Sequence, residues 1–140
     1  MIIYCAGPIK GDTKYQESYK DIVRIVESMN HTALAQFSSK IPSTIFLNDK
    51  QIYTRDMKWI DGSKIMIAEV SGPSLGVGFE IAYALFVKNI PVLAVYNEQE
   101  QNISSMISGC NHPNLQLKKY YNQDDLARII RNFIVNNGSN

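Results

Sequence analysis

The stretch SLGVGFE, residues 74–80, sets a serine hydroxyl, two glycines and one carboxylate at the start of a helical pattern. Ser74, Gly76 and Gly78 leave that start uncrowded, and the amides and dipole of a helix start suit an anion such as a phosphate. Gly78 inside a helix costs roughly 1 kcal/mol relative to alanine, so it needs a reason, such as close approach of a ligand or backbone. Glu80 lies one turn beyond Gly76 and faces the same mouth. A second carboxylate, Asp56, shares a helical pattern with Trp59 and Ile60. Two carboxylates in unlike environments match what cleavage of a glycosidic bond needs. One attacks the anomeric carbon or stabilises its positive charge, and the other protonates the leaving group. The residues permit this chemistry without demanding it. An exposed helical glutamate is the plain alternative for Glu80, and an ion pair with Arg55 or Lys58 is that for Asp56. Glu69, also near the rim, reads as a structural partner of a neighbouring amide or cation.

The first loop, YCAGPIKGD, follows a strand and precedes a helix. Gly7 and Gly11 let backbone amides approach a ligand, and Lys10 adds a positive charge. It is no Walker motif, and a plain strand-to-helix turn accounts for it as well. His31 and His112 stand apart from other candidate ligands, and Cys5 and Cys110 lack metal-like spacing. The histidines read as surface or turn residues, and the cysteines as free thiols of a reducing compartment. No metal site is expected.

The elements that must position these groups alternate. MIIYCAG opens as a strand, and Tyr19, Ile22, Val23 and Val26 follow at helical spacing. Residues 33–37 read as a second strand and 38–48 as a loop closed by an Asn48 or Asp49 helix cap. The 50s form a helix, KIMIAEV a central strand and 76–87 the next helix. IPVLAVY is a strand, 104–107 a short helix, LQLKKYY an edge strand, and NQDDLARIIRNFIVNN an amphipathic closing helix. Such alternation predicts one α/β domain over 1–140, with a roughly five-stranded parallel sheet covered on both faces, a doubly wound Rossmann/flavodoxin-like architecture. Ligands in such folds bind beyond the carboxyl ends of the strands. That rule gathers the loops at 5–13, 38–48, 70–76 and 97–104 at one rim.

The bulk properties narrow the partners. The 140 residues are 45% hydrophobic and 19% charged, with a formal net charge of +1 and no basic cluster, which argues against a nucleic-acid partner. No long apolar run or cleavable signal pattern is seen, so no membrane partner and a cytoplasmic protein are expected, nuclear being open for a eukaryotic source.

Taken together, IYCAGPIKG, RDMKWIDGSKIMIAEVSGPSLGVGFEIAYAL and SSMISG resemble the nucleoside 2-deoxyribosyltransferase superfamily, nearest its 2′-deoxynucleoside 5′-phosphate N-hydrolase branch. The resemblance implies that Glu80 is the nucleophile, forming a covalent deoxyribosyl-phosphate intermediate that water opens. The nearby helix-start amides would favour its charge. It makes Asp56 the acid that assists departure of the base, and Tyr4 the tyrosine that positions sugar and nucleophile. Gly7, Ile9, Lys10 and Gly11 match a substrate-cradling loop. Ser104, with Met106 behind it, matches a segment that enters the neighbouring subunit's site, which implies a homodimer. Transferases carry an aspartate where Ser74 stands. A carboxylate there would repel a phosphate, whereas serine can donate to it. Pro8 departs toward the transferase pattern, and Lys10 stands where the hydrolases often show arginine. The expected activity is hydrolysis of 2′-deoxynucleoside 5′-monophosphates to free base and 2-deoxyribose 5-phosphate, with no metal or organic cofactor. The alternatives are a nucleoside 2-deoxyribosyltransferase and a non-catalytic nucleotide-sensing module on the same scaffold. A phosphoribohydrolase would want a Gly-Gly-x-Gly-Thr type loop where this chain has SLGVG.

Overall fold

The short apolar runs of the sequence become the strands of one parallel sheet. In the computed structural model, which describes residues 1–9, 14–36 and 46–138, the order is β1 (Ile2–Ala6), α1 (Gln16–Ser28), β2 (Thr32–Leu34), α2 (Asp49–Asp61), β3 (Ile65–Glu69), α3 (Leu75–Phe86), β4 (Val92–Asn97), α4 (Ser105–Ser108), β5 (Leu115–Tyr120) and α5 (Gln123–Asn136). The strands lie in the order β2-β1-β3-β4-β5, all parallel. Order reverses between β1 and β3, the crevice at which such sheets bind ligands.

Side-chain alternation divides the interior into two cores. Ile3, Cys5, Ile65, Ile67, Leu93 and Val95 pack beneath α1 and α5. Tyr4, Ala6, Met66, Ala68, Val92 and Ala94 face the other way, against Ile60 of α2 and Val77, Ile81, Ala84 and Leu85 of α3. Tyr4 therefore points to the layer that carries Asp56 and Glu80, while Glu69, in phase with Ile65 and Ile67, points away from it.

Caps fix where the site-bearing helices begin. The Asn48 side chain accepts from the Gln51 amide at 2.8 Å, and the Gln51 side chain accepts from the Asn48 amide at 2.9 Å, a reciprocal capping box. Ser74 caps α3 by accepting from the Val77 amide at 3.2 Å. The second strand differs from the 33–37 expected. It runs over Thr32–Leu34, because it is an edge that pairs with β1 only from Ile2↔Thr32 to Tyr4↔Leu34. Phe37, most of the expected 38–48 loop, and Lys10 and Gly11 lie outside the described residues. Among the described residues no helix is long and apolar enough to cross a membrane.

Candidate active site

β1, α2 and α3 converge on a pair of acids. Tyr4 donates its hydroxyl proton to Oε2 of Glu80, in the second turn of α3. Asp56, from α2, bears on Glu80 both by its charge and through a hydrogen-bonding contact between the two carboxyls. An edge contact of the Tyr53 and Phe79 rings, centroids 6.2 Å apart, helps to hold α2 against α3. The structure thus brings Tyr4, Asp56 and Glu80 together from three elements far apart in the chain.

The electrostatics of Glu80 differ from the expectation that helix-start amides favour its charge. Burial pushes its carboxyl up to about 7, the Tyr4 hydrogen bond and Arg55 counteract this, and Asp56 adds to it. The dipole's influence fades within the first turn, and Glu80 lies beyond it, so loss of water dominates. Burial and the two acids likewise hold the Tyr4 phenol far above its ordinary value, so it remains a proton donor. With the Glu80 carboxyl raised, the pair offers one group that can act as base or nucleophile beside another carboxyl, the arrangement that acid-assisted displacement uses.

The ion pair weighed for Asp56 is also present. Arg55 Nε donates to Asp56 Oδ1 at 2.9 Å, and its guanidinium carbon sits 4.4 Å from the centre of the Trp59 ring. Trp59 in turn lies tilted against Tyr4, with ring centroids 6.5 Å apart. Sequence reasoning treated Arg55 only as a possible surface partner. The signal was its spacing four residues before an aromatic ring on the same helix.

The glycines behave differently from one another. A side chain at Gly7 would strike the buried Tyr19 ring at 2.4 Å, so Gly7 is required by packing between β1 and α1 rather than by ligand approach alone. Ile9 is partly exposed beside it. Gly76, four residues before Glu80, shares its side of α3, and nothing lies within 4 Å of where a side chain would stand. The same openness holds at Gly78, where close approach of a ligand or of the backbone was expected. Gly78 instead opens on a cavity of about 780 Å³ on the outer side of α3, away from the acid pair. Ser74 takes the Val77 amide, which leaves the earlier amides of α3 and the serine's own proton available to an anion.

Ser104 and Met106 stand apart from the acids. Ser104 caps α4 by accepting from the Met106 amide at 3.3 Å, and both residues line that outer cavity, whose walls do not include Tyr4, Asp56 or Glu80. Glu69 takes the structural place expected of it. It is 1% exposed and accepts from the Ser71 amide at 2.6 Å, the Ser71 hydroxyl at 3.0 Å and the Tyr120 hydroxyl at 2.5 Å. Ser71 in turn accepts from the Asn97 amide at 2.8 Å, so the turn leading to Ser74 is tied to β4 and β5. Among the described residues, no group of three or more His, Cys, Asp or Glu side chains is placed to hold a metal ion.

Comparison with known proteins bears on this arrangement. A 2′-deoxynucleoside 5′-phosphate N-hydrolase 1, so named provisionally, from Syntrophotalea carbinolica is 34% identical over 94% of this chain and 92% of its own. The 5-hydroxymethyl-dUMP N-hydrolase of Tetraodon nigroviridis is 27% identical over 97% of this chain and 99% of its own. Among solved structures, a CMP N-glycosidase of Clostridium botulinum shares the fold, with a TM-score of 0.68 at 17% identity over 94% of this chain and 98% of that one. The family model described as nucleoside 2-deoxyribosyltransferase matches residues 3–126, a span that holds Tyr4, Asp56, Ser74, Glu80 and Ser104. By fold, by the convergence of its acids and by that match, the chain belongs to the nucleoside 2-deoxyribosyltransferase family.

Proposed function

We propose that this protein is an N-glycosidase that hydrolyses 2′-deoxynucleoside 5′-monophosphates to free base and 2-deoxyribose 5-phosphate. The observation that carries the reading is the half-buried contact of Glu80 with both Tyr4 and Asp56. Direct interaction of the two carboxyls favours a covalent route over an inverting one, which needs them held farther apart around a water. The Glu80 carboxylate attacks C1′ and the C1′–N bond breaks, its electron pair leaving with the base. Asp56 supplies the proton that the base takes up. Water then adds to C1′, its proton returns to Asp56, and the ester to Glu80 opens. Tyr4 holds Glu80 in line throughout by its hydrogen bond.

In this reading Ser74 and the amides at the start of α3, near Gly76, hold the 5′-phosphate. Gly7, Ile9, Lys10 and Gly11 are assigned, by the resemblance, to binding the nucleotide. Remote phosphate binding then contributes to transition-state stabilisation at C1′. Gly78, Ser104 and Met106 belong to the outer face, which we assign to a homodimer in which Ser104 completes the partner's site. The large exposed side chains Leu75, Phe79, Phe86 and Met106 support that assignment. A product screen tests the substrate. Monophosphates and nucleosides are incubated with and without an acceptor base, and monophosphates should be split with a kcat/KM higher by about two orders of magnitude or more. Equal turnover of nucleosides, with the sugar passed to the acceptor, would instead make the protein a deoxyribosyltransferase, the direction in which Pro8 points.

A further inference from the structure

Arg55 is paired with Asp56, and its charge also acts on Glu80. It is held on two sides. The guanidinium lies over the Trp59 ring at 4.4 Å, and Nε donates to Asp56 Oδ1 at 2.9 Å, with side-chain exposures of only 24% for Arg55 and 20% for Asp56. Trp59 is itself seated against Tyr4, and Tyr4 is bonded to Glu80. Arg55, Asp56, Glu80, Tyr4 and Trp59 therefore form a closed ring of contacts, in which movement of the guanidinium disturbs an acid at once. A planar guanidinium stacked on an indole keeps its orientation in a way that the flexible lysine ammonium does not.

We propose that Arg55 is a positioning residue of the proposed glycosidase: stacked on Trp59, it grips Asp56 by Oδ1, leaves the second carboxyl oxygen to carry the proton for the departing base, and supplies the countercharge that lets Glu80 ionise beside Asp56. The inference rests on the roles proposed above for Asp56 and Glu80. Without the cation, each carboxylate raises the cost of ionising the other. Among the described residues the titratable and charged groups bearing on Glu80 are Tyr4 from β1, Tyr19 from α1, and Asp56 and Arg55 from α2. Of these only Arg55 is a cation.

The test separates this role from the reaction itself. The Glu80 carboxyl is followed by ¹³C NMR in the substrate-free protein as a function of pH, its resonance assigned through its loss in Glu80→Gln. Arg55→Gln should move the Glu80 midpoint upward by about half a pH unit or more, and Arg55→Lys should leave it near the wild-type value. Turnover of a deoxynucleoside monophosphate is measured in parallel. Arg55→Gln should lower kcat by about 10- to 100-fold, and Arg55→Lys should recover only part of it, because the charge returns without the stacked fork. An unmoved midpoint together with unchanged kcat in Arg55→Gln overturns the proposal. If Arg55→Gln does not fold, Trp59→Leu carries the test: lowered kcat with a near-normal midpoint supports a role for the stack, and unchanged kcat overturns it. A shifted midpoint in a protein whose wild type splits no nucleotide would keep the electrostatic role and reject the proposed reaction.

Discussion

Burial holds the Glu80 carboxyl near 7, while the reaction proposed for it needs the carboxylate. The conflict has two measurable consequences. Activity requires ionisation, so kcat/KM should rise as pH increases through about 7, and this acid limb belongs to the Glu80–Asp56 pair rather than to one residue. Stability runs the other way. A carboxyl raised in the folded state binds its proton more tightly there than in the unfolded chain, where it titrates near its ordinary value of 4.5. The folded state therefore gains as pH falls from about 7 toward 4.5, and above 7 the buried charge costs stability. Glu80→Gln should unfold at higher urea than the wild type at pH 8, by about 1–3 kcal/mol. The difference should narrow toward pH 5, and turnover should fall by about three orders of magnitude or more. A variant no more stable at pH 8 would show that Glu80 is not buried as a charge. Trapping a sugar-phosphate adduct on Glu80 of the wild type would establish the covalent step.

The helices decide which face of each acid the substrate meets, and α3 does so through its cap. Ser74 both starts the helix and is proposed to donate to the phosphate, so the two roles can be separated by a residue that caps well but repels anions. Aspartate is such a residue. Ser74→Asp should leave the thermal transition nearly unchanged, raise KM for monophosphates by about 100-fold, and narrow the preference over nucleosides. Steady-state kinetics on both substrate classes checks it, and an unchanged KM would take the phosphate away from α3. The same elements show what local sequence conveys. Apolar runs such as KIMIAEV and capping residues such as Asn48 and Ser74 are local signals, and both strand and cap appear where those signals stand. What distant elements bring is another matter. Gly7 reads as a site for ligand approach, yet its missing side chain is demanded by Tyr19 of α1. Gly78 sits on the side of α3 opposite to its expected use, because α4 and the stretch before it, rather than β1, shape the space beside it. The raised carboxyl of Glu80 depends on burial and on Asp56 arriving from α2, against the opposing hydrogen bond of Tyr4 from β1, which no spacing within α3 could announce.

At the scale of the whole molecule, the acids and the residues matched to them do not all gather in one chain. Tyr4, Asp56 and Glu80 meet between β1, α2 and α3, whereas Ser104 and Met106 stand across the outer cavity from Gly78 and Phe79. That outer face is apolar in a way that water does not favour. Leu75 is 97% exposed, Phe86 69% and Met106 83%. Burying it against a second copy would cover these side chains, and a twofold axis would carry each Ser104 to the other chain once it carried one. Ser104→Ala and Glu80→Ala, each inactive alone, should then complement when mixed. Random pairing makes half the dimers mixed, and each mixed dimer holds one site with both an intact Glu80 and an intact Ser104. Activity should therefore reach about a quarter of the wild-type value per site. Subunit exchange is verified by native mass spectrometry of the mixture, so that silence has a meaning. An inactive mixture of exchanged dimers would return Ser104 to its own chain's site, and full activity of Ser104→Ala by itself would remove it from either site.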